Sequence, residues 1–164
     1  MRASLGLGKI LGTALLVVCA SGAAPLPLQK VSLEMAKAQG LLKNILKAVG
    51  DFGRYPGEEF LRREFFVGED DDDTNKNDHL VVIVQDVNEG KKMTLQLTHL
   101  EPSPENPRVK DSKWSKTLVC VIDRDRVEIK QSEFEEKELA PVLGGILRAI
   151  TDKKRLLDAR LTSP

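Results

Sequence analysis

Two histidines, His79 and His99, and the thiol of Cys120 are the side chains of this 164-residue chain best suited to nucleophilic or metal chemistry. A serine hydrolase presents its nucleophile on a sharp Gly-x-Ser-x-Gly turn, and a structural zinc takes paired thiol or imidazole ligands at close spacing. Neither pattern occurs, and neither does a phosphate-binding loop or a dinucleotide fingerprint. His79 and His99 stand where they face each other across a hairpin end, but a metal there needs a third ligand such as Asp78. Two ordinary edge histidines is the simpler reading. Carboxylates are abundant, yet most charged side chains only solvate a surface. The residue types therefore point to a non-catalytic chain with no cofactor.

Two loops are candidates for contact. Residues 79–99, HLVVIVQDVNEGKKMTLQLTH, form a hairpin whose tip holds Gln85, Val87, Asn88, Glu89 and Gly90. These five are a candidate binding loop, against the alternative of a plain turn. The run GEDDDDTNKND, residues 68–78, is an acidic loop in which Asp71, Asp73 and Asn75 alternate as candidate ion ligands. A calcium loop needs glycine where Lys76 stands and glutamate where Val82 stands, so a solvated loop is the alternative.

The elements that position these residues follow from periodicity. Met35, Ala38, Leu42, Ile45, Leu46, Val49 and Phe52 recur at three- and four-residue spacing, which predicts an amphipathic helix over Val31 to Phe52. Tyr55-Pro56-Gly57 signals a turn, and Glu58 to Phe66 reads as one or two helical turns packing Phe60, Leu61 and Phe65. Phe66 lies off that stripe; covered core or an exposed aromatic contact surface are its two readings. Four strands follow in two hairpins. Asn88-Glu89-Gly90 suits a three-residue loop with a left-handed glycine, which sets Val87 opposite Lys91, Ile83 opposite Leu95, Val81 opposite Leu97 and His79 opposite His99. Val81, Ile83, Val87, Met93, Leu95 and Leu97 then share the core face. Glu101 to Lys113, with three prolines, is an exposed crossing loop. The second hairpin pairs 117–123 with 126–131 around Arg124-Asp125, with Cys120 opposite Ile129 and Ile122 opposite Val127. Ser132-x-x-Glu135 is a capping box opening a helix, Pro141 kinks or restarts it, and the tail after Lys153-Lys154-Arg155 frays. Lys153-Lys154-Arg155 and Arg62-Arg63 are also candidate processing sites. The expected fold is α+β: an N-terminal helix, a four-stranded antiparallel sheet of two hairpins, and a C-terminal helix, with helices on one face.

Residues 1–23 have the form of a secretory leader. Arg2 and Lys9 make a basic start, Ile10 to Ala20 is apolar, and Ser21-Gly22-Ala23 is a small-residue cleavage site. Residues 24–164 are then a single exported domain with no membrane attachment after cleavage. The leader removes two of 25 basic and none of 25 acidic residues, leaving a net charge of −2, and so near a balance argues against nucleic acid as partner. No Asn-x-Ser/Thr site occurs. Cys19 departs with the leader, so Cys120 has no partner within the chain. A buried, inert thiol is its main reading, and a homodimer bridged through Cys120 is the alternative.

Two families resemble parts of the chain. Gln85, Val87 and Gly90 resemble the Gln-x-Val-x-Gly loop of cystatins with one extra residue, which implies an inhibitor of papain-like proteases. Cystatin disulfides and a Pro-Trp second loop have no counterpart, since Trp114 follows Lys113. The Leu41-Leu42 helix, the Tyr55-Pro56 turn, the His79 to Met93 hairpin and Cys120 to Asp125 together resemble the soggy-like branch of the Dickkopf family, without its cysteine-rich domains. That resemblance implies an extracellular signalling modulator. The expected function is a secreted, non-catalytic domain that binds an extracellular protein. A carrier of a small apolar ligand and an extracellular matrix component are further alternatives.

Overall fold

The computed structural model describes residues 31–68 and 78–162, and its compact unit starts at Leu33. It is an α+β domain in which two helices flank, in sequence, a five-stranded antiparallel meander of order β1-β2-β3-β4-β5. Asp71, Asp73 and Asn75 and the proposed leader lie outside the described residues.

Helix α1 (Leu33–Gly50) has the expected stripe. Ala38, Leu42, Ile45 and Val49 are fully buried, and Met35, Leu46 and Phe52 pack beside them. Gly53, at φ 70°, turns the chain out of the helix, and its N–H donates to the Gly50 carbonyl at 3.0 Å.

The segment read as helical turns is instead a strand, β1 (Leu61–Val67), and this raises the sheet from four strands to five. Leu61 and Phe65 are buried, Arg63 and Val67 are half-buried, and Arg62, Glu64 and Phe66 point the other way. The spacing of Phe60, Leu61 and Phe65 fits one helical face, but a short apolar run does not separate helix from strand. Phe60, which helical spacing groups with the core, is 40% exposed and lies before the strand begins. Arg63 fastens the incoming loop: its guanidinium donates to the Gly53 carbonyl at 2.6 Å and to Glu58 at 3.2 Å, and lies 4.2 Å from the Tyr55 ring centre.

The first hairpin joins β2 (Asp78–Val87) to β3 (Gly90–Pro102) in a register one residue from expectation. Val87 pairs with Gly90, Ile83 with Thr94, Val81 with Gln96 and His79 with Thr98. A slip of one residue exchanges the two faces of a strand. Leu80, Val82 and Val84, not Val81, Ile83 and Val87, therefore share the core cluster with Met93, Leu95 and Leu97; Val81 is buried on the other face, and Val87 is exposed. β2 is aliphatic on both faces, so its alternation does not set the phase.

β4 (Lys110–Asp123) and β5 (Arg126–Ser132) form the second hairpin with the expected pairs, Cys120 with Ile129 and Ile122 with Val127. β3 and β4 both run further than expected, so the crossing loop shrinks to 103–109, and a register shift follows His99. Helix α2 (Glu136–Thr162) starts after Ser132, which is not its cap; the Ser132 hydroxyl instead accepts from the Phe134 N–H at 3.1 Å. Pro141 sits inside a helix that continues past it, and the expected frayed tail is helical to Thr162, with Lys154 and Asp158 paired at 2.8 Å. Among the described residues no helix is long and apolar enough to cross a membrane.

Both helices lie on one face of the sheet. Leu139, Leu143, Ile146 and Ile150 of α2 join the α1 stripe and the inward residues of β1 to β4 in a single core. Cys120 is in that core at 0% exposure, and burial pushes its thiol up to about 12. A bridge between two copies through Cys120 would require the sheet and helices to separate. A thiol-reactive dye is accordingly expected to leave Cys120 unmodified in the native protein and to label it in denaturant, as read by peptide mass mapping.

Candidate functional site

The hairpin tip is built as a braced turn. Asn88 and Glu89 make the connection, and Gly90, at φ 101°, pairs back to Val87. A Cβ on Gly90 would stand 2.2 Å from the Ile122 carbonyl oxygen, so β4 passes against the tip without room for a side chain. Asp86 binds Lys91, and Arg54 reaches it at 3.1 Å. Hydrogen bonds from Lys91 first, then Arg54, hold the Asp86 carboxyl below its usual value. Gln85 is half-buried opposite Lys92, and Val87 is 39% exposed. Val87, Asn88 and Glu89 border an open groove of about 360 Å³ with Val121 and Arg126 of the second hairpin. The structure thus brings the five predicted residues together, with Gly90 serving the turn and the others at its surface.

The opposite end of the sheet gathers a second set of residues. Two adjacent rungs cross β1 to β4 there. Phe66, His79, Thr98 and Ser115 pair along one rung, and Val67, Asp78, His99 and Trp114 along the next. Because neighbouring residues on a strand point to opposite faces, the first rung lies on the uncovered face and the second on the helix side. His79 and His99 therefore do not face each other. The geometry of a histidine pair closed by Asp78 is absent.

Each imidazole instead meets an aromatic ring and a carboxylate. The His79 ring lies 5.4 Å from the Phe66 ring, and its Nε2 is 2.8 Å from Glu64. Hydrogen bonds from Arg62 and then from His79 hold the Glu64 carboxyl below its usual value. The His99 ring stacks on Trp114 at 5.4 Å with 16° between planes. Its Nδ1 is 2.6 Å from Asp78 and its Nε2 is 3.1 Å from Glu101. Hydrogen bonding to Asp78 is the main cause that raises the His99 pKa, with a smaller part from Glu101. Trp114 is also met by the Lys116 ammonium at 5.3 Å, and Lys116 pairs with Glu138 of α2 at 3.4 Å.

Asp78 and Glu101 approach the His99 ring from its two opposite nitrogens, so the three do not converge on one point. Among the described residues no group of three or more His, Cys, Asp and Glu is placed to hold a metal. What this end offers is contact: Phe66 is 58% exposed and Trp114 39%. On the helix side of this end an open cleft of about 620 Å³ lies between Asp78 and Leu97 of the sheet and Pro141, Val142 and Arg148 of α2. Sequence reasoning missed Trp114, Glu64 and Glu101 here. The sequence signal for Phe66 was available in the alternation of β1, but that for Trp114 needs the β3–β4 register.

Compared with family models, with curated proteins and with solved structures, the chain finds no match. The fold and the site thus define a class, a two-layer α+β domain with an aromatic–imidazole end, and no family is shown.

Proposed function

We propose that this is a secreted, non-catalytic protein-binding domain, an extracellular signalling modulator, whose contact surface is the sheet end carrying Phe66, His79, His99 and Trp114. One observation carries the reading: the chain's single tryptophan and one of its five phenylalanines are both exposed, each held in place by a histidine. Large aromatics with restricted rotamers are the usual anchors of protein interfaces, because they bury much area and lose little entropy. An anchor already stacked in the free protein loses less still. A photocrosslinking residue at the exposed position 113, beside an intact Trp114, should trap an extracellular protein. Excess parent domain should compete for the capture, and the Trp114→Ala variant should not. Crosslinking from position 87 alone would move the contact to the hairpin tip.

The tip itself supports a second reading, as a cystatin-like inhibitor of papain-like proteases, because Val87, Asn88 and Glu89 are exposed on a braced projection. Inhibition of papain that is lost in a folded Val87→Asp variant would support it. Absence of inhibition at micromolar concentration would remove it.

A further inference from the structure

We infer that His99 is a proton-operated clamp: as imidazolium it ties Asp78, the first residue of β2, to Glu101, at the entry of the 103–109 loop, and holds Trp114 in its exposed pose. The clamp deepens the contact-surface reading and rests on it only for its consequence to a partner. The clamp itself is tested with no partner present.

The geometry allows only the charged ring to serve both carboxylates. An imidazolium donates from both nitrogens, whereas a neutral ring donates from one and presents a lone pair at the other. Asp78 at 2.6 Å on Nδ1 and Glu101 at 3.1 Å on Nε2 are both acceptors when ionised. Loss of the proton therefore leaves one carboxylate facing a lone pair. Asp78 has the shorter bond and makes the larger contribution to the raised pKa, so Glu101 is the partner released. Glu101 follows the register shift after His99 and pairs in the sheet with Asp111 of β4, a second carboxylate. Its release frees the 100–112 end of the β3–β4 hairpin.

The other charged groups near the ring are Lys116, Arg148 and His79, and only Asp78 and Glu101 act to favour its charged form. Lys116 of β4 sits over Trp114 and is paired to Glu138 of α2. Arg148 of α2 borders the cleft that Asp78 lines. His79 points to the opposite face and binds Glu64.

The sign follows from the direction of the shift. A group whose pKa is raised on folding stabilises the fold fully below its unfolded value, here the ordinary histidine value of 6.5. That contribution disappears as pH climbs through the raised His99 value. The clamp is thus closed in mildly acidic conditions and opens on the alkaline side of an ordinary histidine.

Trp114 supplies the readout, because it is the only tryptophan and a stacked imidazolium quenches indole emission more than a neutral imidazole does. Emission is expected to rise with pH, with a midpoint above 6.5. Asp78→Asn should lower the midpoint most, and Glu101→Gln by less. His99→Gln should abolish the transition, and His79→Gln should leave it intact. Hydrogen exchange at residues 100–112, corrected for its intrinsic pH dependence, should quicken above the same midpoint. A parent midpoint at or below 6.5, or a transition that survives His99→Gln, overturns the clamp. Exchange at 100–112 that is unchanged across the midpoint overturns the release of Glu101. None of these results depends on whether Trp114 binds a partner, so failure of the clamp and failure of the contact surface are separable.

Discussion

Gly90→Ala is expected to cost about 3–5 kcal/mol, a large part of the roughly 5–15 kcal/mol that holds a domain folded. Two independent causes act at this one atom. The backbone at φ 101° is a conformation that side chains with a Cβ rarely adopt. The added Cβ would also lie 2.2 Å from the Ile122 oxygen and 2.9 Å from the Asp123 Cα. Both neighbours are backbone, so no rotamer change relieves the contact. The strand end carrying Ile122 and Asp123 would have to move, and with it the pairing of Lys91 to Ile122. The urea midpoint measures the loss. Gly144→Ala in α2 is the matched control, because nothing lies within 4 Å of the Cβ it would add. An alanine there should stabilise by about 0.5–1 kcal/mol through helix propensity alone. A Gly90→Ala protein as stable as the parent would mean that the tip is not braced against β4.

The tip question shows how far local sequence reaches. Asn88-Glu89-Gly90 fixes that a turn exists, because glycine takes a positive φ without strain, and the turn is where it was expected. It does not distinguish a two-residue from a three-residue connection. That difference of one residue decided whether Val81 and Ile83 or Leu80, Val82 and Val84 entered the core. Alternation could not correct the error, since residues 80–84 are aliphatic without a break. The second hairpin was legible although residues 118–122 are also apolar without a break, because Arg124-Asp125 marks a two-residue turn and β5 alternates, with Val127 and Ile129 set between Arg126, Glu128 and Lys130. α1 was legible because its stripe is long enough to exclude a strand. The contact end was largely hidden. Trp114 meets His99 only through a β3–β4 register that runs past a proline-rich loop and shifts after His99. No local pattern carries that information, whereas the residues of the tip are contiguous in sequence from Gln85 to Gly90.

Phe65→Ala should be the most damaging truncation on β1, at about 3–5 kcal/mol for a buried aromatic. Phe65 is 1% exposed and pairs with Leu80 in the sheet. Phe52 meets it edge-on at 5.5 Å, and the Lys153 ammonium stands 5.0 Å from its ring centre, so its removal opens a cavity shared by both layers. Phe66→Ala should change stability by no more than about 0.5 kcal/mol, because its ring is mostly in solvent. Phe60→Ala decides between the two periods. Helical spacing groups Phe60 with Leu61 and Phe65 in the core; strand geometry leaves it outside β1 and 40% exposed. A small effect of Phe60→Ala beside a large one of Phe65→Ala is therefore expected in thermal or urea unfolding. Equal costs would restore the helix and remove the fifth strand. The same three proteins then bear on function, since Phe66 reaches the uncovered face only if Phe65 points inward on a strand. If Phe66→Ala keeps the parent's stability and loses competition in the position-113 crosslinking assay, the period-two pattern of β1 is what presents the contact surface.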